Sequence, residues 1–452
     1  MTHPVRAASS AVAEMAENWP LLNALMAGTQ GMRATGKAYL PQWPNESDGS
    51  YKTRLSTAVL HPAFSRTVQV LASKPLAKAV TLADTPPRVL DLLDNVDAEG
   101  RGLHAFAADI MNDCLCQGVS GVLVDYPPNV NAKTKAQELQ TGARPYFVRY
   151  GPGNVLGWKA KRVNGVMQLV QLRLLESETA DDGEFGETSV EQVRVLTPGA
   201  WQVWRQPDPS KPDVWAIHAE GRTTLQVIPF VFFYGVRKDY GIGLPPMLEL
   251  AYQNFEHWQS SSDQQTILHV ARVPILFMKG FDKASKLTVG ASSAIRSESK
   301  DAEVEYVEHT GAAIAAGRQS ILDLEERMRQ TGAEMLVRRA GKVTATQVRG
   351  EEESSASVLH RIVEIFNESL NQCLDFMALW VGEKSGGTAA LFNDFGAADL
   401  GEASAQFLLD MSIAGKLSNE TLFSEVQRRD LVSPKVAWAD EQARLPAPEP
   451  PN

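Results

Sequence analysis

Cysteine is scarce in this chain: Cys114, Cys116 and Cys373 are the three among 452 residues. An odd number without metal-type pair spacing excludes a disulfide framework, and the expectation is buried thiols in a reducing cytoplasm. Long hydrophobic runs are missing as well. No segment reaches the roughly eighteen apolar residues that a membrane-crossing helix needs, and residues 1–11 have no long apolar core behind a basic start. Neither a membrane span nor a secretory signal is therefore expected. Basic charge is in deficit, with 44 Lys and Arg against 54 Asp and Glu and a formal net charge of -10. Proteins that grip a phosphate backbone cluster their cations, so any nucleic-acid role read from this balance is passage, not capture. The eight histidines are scattered, and there is no Gly-x-Ser-x-Gly elbow and no His-Glu-x-x-His. No catalytic residue, cofactor or metal is expected.

What is present suffices for two or three domains, since 44% of the residues are hydrophobic. Residues 1–50 carry only a short helical pattern at 12–26 and a loop with Pro41, Trp43 and Pro44, and read as a surface arm. Apolar residues then recur at helical spacing over 51–118, as in Leu55 and Val59, Phe64, Val68 and Leu71, and Leu103, Phe106 and Ile110. A short continuous apolar run at 118–126, bounded by Gly and Pro, predicts a buried strand. Short alternating runs over 144–235, broken by Asn164-Gly165 and Pro198-Gly199, predict a β-rich module, with the acidic stretch 176–188 as a hairpin tip or loop.

From Pro246 a helix is predicted to about residue 272, roughly 40 Å long. Glu249, Glu256 and Asp263 stand seven apart and so share one side of it, as an acidic stripe. That spacing fits a solvated or channel-lining face far better than acid/base catalysis. A mixed segment at 273–317 has two strand-like pieces. A second helix is predicted over 318–337, and a third from the capping pattern Thr344/Gln347 to about 381. The third has Leu359, Ile362, Phe366, Leu370, Cys373 and Met377 on one face. Smaller helices follow to about 431, then a Pro-rich tail.

Three motifs imitate chemistry. Gly31 to Gly36-Lys37 has phosphate-loop spacing, but Ala38 lacks the Mg²⁺-binding hydroxyl, no buried strand precedes it, and Pro41 and Pro44 interrupt the helix that should follow. A Gly-containing loop is expected. Residues 95–100 resemble the first half of a calcium loop, yet its twelfth position is Phe106. Cys114 and Cys116 stand too close together for a zinc pair.

The order of parts from Ile228 resembles the phage portal protein family. Ile228-Pro229-Phe230 leads into Gly241-Ile242-Gly243-Leu244-Pro245-Pro246, then a long helix, then Pro274-Ile275-Leu276-Phe277-Met278-Lys279-Gly280, similar to the portal passage from wing to stem to clip. A returning stem helix contains Leu324-Glu325. Thr344-Ala345-Thr346-Gln347, heading a helix to Trp380-Val381-Gly382, is similar to the portal helix after the tunnel loop. Asn393-Asp394-Phe395 through Gly415-Lys416-Leu417-Ser418 looks like the crown-side segment, and Tyr51-Lys52-Thr53-Arg54 and Gly121 to Pro127 look like one branch's wing. The likeness covers roughly residues 36–435.

What the resemblance implies is an α+β ring subunit. It would have a wing at 51–244 (helical 51–118, β-rich 119–235), a first stem helix at 245–272, a clip at 273–317 and a second stem helix at 318–337. A tunnel loop at 338–343, a long wing helix at 344–385, crown-side helices at 386–435 and a tail at 436–452 would follow. The family forms a ring, usually of twelve copies, at one capsid vertex, and double-stranded DNA is packaged and ejected through it. Implied partners are the chain itself, the major capsid protein, the large terminase subunit and a head-tail connector, in a virion assembled in the host cytoplasm and without a membrane. Twelve copies would carry roughly -120, a charge that keeps DNA from sticking as it slides.

Channel-lining or DNA-proximal candidates are Glu249, Glu256 and Asp263 with Arg338, Arg339 and Lys342. The basic trio equally fits a helix C-terminus favoured by the macrodipole. Partner-contact candidates in the clip are Ile275, Phe277 and Lys279, in a run that would equally serve as intersubunit core. The alternatives are a virion adaptor or minor head protein with the same long-helix plan, or a nucleotide-dependent packaging enzyme built on Lys37.

Overall fold

In the computed structural model the described residues are 3–127, 143–208, 210–211, 213–271, 275–279, 301–307, 312–336, 357–393, 409–428, 432 and 436–444. They divide into one unit of Met1–Ser73 with Leu82–Ala389 and a second of Lys74–Thr81 with Ala390–Asn452. Helices and antiparallel strands are both abundant, as an α+β class requires.

Residues 3–50 are not a surface arm. They form α1 (Ser10–Ala16), α2 (Trp19–Met26) and α3 (Gly28–Ala34), which bury Val12, Met15, Trp19, Leu22, Leu25 and Met32. Short helices with little periodicity of their own are held by long-range contacts. The Trp19 indole donates to the Gln117 carbonyl at 3.2 Å, and Arg173 Nη1 donates to the carbonyls of Pro4, Val5 and Ala7 at 2.6, 3.0 and 2.7 Å.

The helical stretch expected next consists of α4 (Asp48–Thr57), α5 (Ala63–Ser73), the short α6 (Pro87–Leu90) and α7 (Leu103–Gln117), with β1 (Thr81–Ala83) between α5 and α6. In α4 the buried face differs from the expected one. Tyr51 and Arg54 are buried while Val59, just beyond the helix, is 54% exposed, because the Arg54 side chain finds a buried carboxylate partner. Helix α7 stops at Gly118, whose φ of +89° is the left-handed cap, and a Cβ there would lie 2.3 Å from the Leu244 carbonyl carbon.

Strand β2 (Val119–Asp125) is the predicted buried run, and it is the middle strand between β3 (Tyr146–Tyr150) and β9 (Phe230–Tyr234). Buried on both faces, it needs no alternation. A five-stranded antiparallel meander follows β3: β4 (Val155–Val163), β5 (Val166–Asp182), β6 (Gly186–Thr197), β7 (Ala200–Arg205) and β8 (Ala216–Arg222). Asn164 and Gly165, at φ 52° and 84°, make the β4–β5 turn in the left-handed conformations such a two-residue hairpin demands. The acidic stretch expected as a hairpin tip or loop is the outer end of the β5–β6 hairpin, with ladder pairing from Glu176↔Gln192 to Asp182↔Gly186 and the turn itself confined to residues 183–185. The Ser177 and Ser189 hydroxyls bond across it and Arg205 pairs with Glu178, which offsets the charge that made the stretch read as loop. Its turn exposes Phe185 at 93%.

After β10 (Val236–Asp239) and β11 (Ile242–Leu244) come α8 (Leu248–Ala271), β12 (Ile275–Lys279), β13 (Glu303–Val307), α9 (Ala312–Glu334), α10 (Val358–Val381) and β14 (Thr388–Ala390). All six residues of the predicted core face of α10 are buried. Its Ser369 hydroxyl donates to the Phe232 carbonyl at 3.0 Å, and the Trp380 indole donates to the Val124 carbonyl at 2.9 Å, so α10 lies against the β3–β2–β9 sheet. The predicted start at Thr344 lies outside the described residues, within which α10 begins at Val358. Ser357 is extended (φ -65°, ψ 162°) and its hydroxyl caps the helix by accepting from the His360 amide at 3.3 Å. Ser357→Ala is expected to cost about 1 kcal/mol, read by urea unfolding.

In the second unit the Phe392 amide donates to the Pro75 carbonyl at 3.0 Å. Helix α11 (Asn419–Arg428) meets α12 (Trp438–Arg444) through the Phe423 and Trp438 rings, 5.3 Å apart. Thus a helix occupies part of the expected tail; residues 445–452 lie outside the described ones.

Candidate functional site

Two prolines, Pro245 and Pro246, precede α8, which begins at Leu248, two residues later than predicted. Over 24 residues it extends about 36 Å. Helix α9 begins at Ala312, six residues earlier than predicted, so the compact segment between the helices is shorter than 273–317. The two run antiparallel: the Gln264 amide donates to the Ile314 carbonyl at 3.0 Å, His257 meets Glu325, and Gly332 packs near Leu250. Beyond the ends of both helices β12 and β13 pair antiparallel from Ile275↔Val307 to Lys279↔Glu303.

Helix α8 buries Leu250, Ala251, Asn254, His257, Trp258 and Ser262, one continuous face at helical spacing. Helix α9 buries Leu324 and Met328, and Met335 is buried just past its end. All of the α8 and α9 residues but Ser262, which is just past the middle of α8, lie in the halves of the two helices farther from β12 and β13. Among the described residues, none of 263–269 and none of 314–323 is buried, although Ile267, Leu268, Ile314, Ile321 and Leu322 stand there.

Glu249, Glu256 and Asp263 are all exposed on α8, as a solvated stripe requires. The stripe is not uniformly acidic, however. Arg327 of α9 lies 3.9 Å from Glu256, and Arg54 of α4 lies 3.9 Å from Asp263. Burial, with the nearby Glu46 carboxylate, raises the Asp263 pKa against the opposing pull of Arg54. At that separation and exposure the Glu256 pair contributes little, and Glu256→Ala is expected to change the unfolding free energy by less than about 1 kcal/mol in urea titration. Arg338, Arg339 and Lys342 lie outside the described residues. In the strand pair Phe277 is 47% exposed and Lys279 is 4.0 Å from Glu303; Ile275 is described only by its place in β12.

The motifs that imitate chemistry have structural explanations. Residues 28–34 are helix α3, so the expected Gly-containing loop is a helix. Lys37 Nζ sits 5.5 Å from the Tyr51 ring centroid. Asp97 spends its carboxylate on its own loop, accepting from the Glu99 and Arg101 amides at 2.9 and 3.1 Å and pairing with the Arg101 side chain. Cys114, Cys116 and Cys373 are buried; burial pushes the Cys116 thiol up to about 12 and the other two well above their ordinary value.

Two clusters escaped sequence reasoning. In the first, Arg54 donates from Nε and Nη2 to both Glu46 oxygens at 2.8 Å and from Nη2 to the Pro41 carbonyl at 2.7 Å, under the Trp43 ring at 4.3 Å. Hydrogen bonding to Arg54 holds the Glu46 carboxyl below its ordinary value. In the second, His61, His257 and Glu325 converge beside α8 and α9. The His257 Nε2 lies 3.1 Å from Glu325 Oε1, and the two imidazole centroids are 5.1 Å apart. A cleft of about 350 Å³ near β2 and β7 is lined by Asp125, Arg194, Trp201 and Trp380 and contains no histidine or cysteine.

A family model described as Domain of unknown function (DUF4055) matches residues 246–381, which span α8 through α10. No curated protein matches the chain. Among solved structures, one chain of "Virion of native gene transfer agent (GTA) particle" is 13% identical, with 87% of this chain and 97% of that chain covered and a TM-score of 0.42. A chain of "Neck of empty GTA particle computed with C6 symmetry" is 13% identical over 84% of this chain and 93% of that chain, with a TM-score of 0.43. A chain of "Neck of native GTA particle computed with C12 symmetry" is 14% identical over 87% and 97%, with a TM-score of 0.39.

Proposed function

We propose that this chain is the subunit of a phage portal ring, the conduit for double-stranded DNA at one capsid vertex. The observation that carries the reading is the antiparallel pair α8 and α9, joined to a strand pair and, among the described residues, without a buried residue after Ser262 on α8 or before Leu324 on α9. A single chain leaves apolar residues such as Leu322 uncovered there, and repetition around a ring covers them through heterologous contacts. The order of sequence motifs supports the same plan, with the helices as stem and β12–β13 within the clip.

In this reading the subunit acts mechanically and hydrolyses nothing. The stem stripe presents carboxylates toward the duplex, whose phosphates they repel, so DNA slides with low affinity. Arg338, Arg339 and Lys342 belong to the tunnel loop, where they touch phosphates transiently. The clip, with Ile275, Phe277 and Lys279, receives the large terminase subunit during packaging and the head-tail connector afterwards. The wing meets the major capsid protein.

Light scattering and end-on negative-stain images of the purified 49.4 kDa chain test the ring. About twelve copies around a central hole are expected; a monomer or dimer at high concentration would return the chain to an adaptor or minor head role. Replacing Glu249, Glu256 and Asp263 together with Ala is expected to impair DNA passage or ring assembly with folding retained by circular dichroism. Normal phage yield from that variant would remove the stripe from the mechanism.

A further inference from the structure

His61 lies just ahead of α5, His257 in the middle of α8 and Glu325 in the middle of α9, and one ligand atom of each lies within 4.8 Å of the other two. We infer that these three side chains form a binding site for zinc or a similar first-row divalent cation, tying both long helices to the segment that enters α5.

Two imidazoles and a carboxylate are a donor set that zinc accepts, with a fourth position left for water. Calcium and magnesium want more oxygen ligands than the cluster offers. The 3.1 Å between His257 Nε2 and Glu325 Oε1 already approximates one edge of a tetrahedral site, roughly 3.4 Å for bonds near 2.1 Å. His257 is only 4% exposed, and its Nδ1 is buried with no hydrogen-bond partner among the described residues.

The third ligand is placed by backbone. Fully buried Asn254, one turn before His257, donates from Nδ2 to the His61 carbonyl at 2.8 Å and accepts from the Phe64 amide at 2.9 Å. Residue 61 is thereby anchored to α8, with its imidazole beside that of His257 and the residue exposed. The site does not depend on ring formation, since all three ligands belong to one chain.

The test uses full-length protein freed of metal by chelator and dialysis, with the wild type compared with His61→Ala and Glu325→Gln. Zinc chloride titrated into the wild type by calorimetry is expected to bind at one equivalent per chain. Cobalt(II) is expected to give the intense visible bands of a tetrahedral site, and zinc to raise the unfolding temperature. Each variant is expected to bind more than about tenfold more weakly and to lose the cobalt bands, with metal-free circular dichroism unchanged. Zinc binding of equal strength in the wild type and both variants, or a wild type that gives no tetrahedral cobalt spectrum, would overturn the inference. His61 is exposed, so its replacement leaves the fold intact and separates loss of metal from loss of structure.

Discussion

Phe366→Ala is expected to lower the unfolding free energy of the large unit by about 3–5 kcal/mol. Phe366 is fully buried in α10, and its ring stands 4.8 Å from that of Phe233 in β9, at 59°. Truncation removes the transfer free energy of a phenyl ring and leaves a cavity, because the neighbours cannot follow. On one side the β3–β2–β9 sheet is held by its ladder; on the other Leu359, Ile362, Val363 and Leu370 are fixed within the helix. Urea unfolding followed by tryptophan fluorescence reads the change. A loss below about 1 kcal/mol would mean that α10 packs more loosely against the sheet than its burial indicates.

Arg54→Ala is expected to cost about 3 kcal/mol at neutral pH, because it strands the Glu46 carboxylate under Trp43 without a counter-charge. The lower end of the range for a broken buried pair applies, since one aromatic side chain separates the pair from water. The cost should depend on pH, with a sign that follows from Glu46. Its folded pKa lies below the ordinary 4.5, so in the wild type the pair contributes stability that is complete above that value and is lost as pH falls through the folded pKa. Without Arg54, burial pushes the same carboxyl the other way. The variant should therefore lie far below the wild type at pH 7 and approach it at an acid pH below the folded pKa of Glu46, where the carboxyl is protonated in both. Denaturant unfolding of both proteins at the two pH values measures this, and a gap that does not narrow in acid would show that Arg54 acts through packing alone.

The outcome at particular residues shows how far periodicity reaches. The core face of α10 and the buried strand β2 were legible because each satisfies a local rule, a six-residue apolar stripe in one and an unbroken apolar run between Gly and Pro in the other. Residues 12–26 were legible as helix but not as core, because such short helices show too little period to reveal a buried face, and contacts such as Trp19 with the Gln117 carbonyl hold them. The β5–β6 arm was legible as a hairpin tip but not as ladder, because its acidic strands look like loop until Arg205, on the next strand, lies beside Glu178. The face of α4 shifted for a similar reason. An arginine counts as polar in any pattern, yet Arg54 is buried once Glu46 is folded over it.

By itself the sequence determined the buried strand β2, the core face of α10, the rough limits of α8 and α9 and the shared side of Glu249, Glu256 and Asp263, because each depends on neighbours within a few turns. Only the tertiary structure decided that Arg327 and Arg54 face two of the three stripe carboxylates, and that His61 meets His257 and Glu325 from distant parts of the chain. Such meetings depend on how helices rotate and dock against one another, and ridge-into-groove packing sets that rotation through side chains remote in sequence.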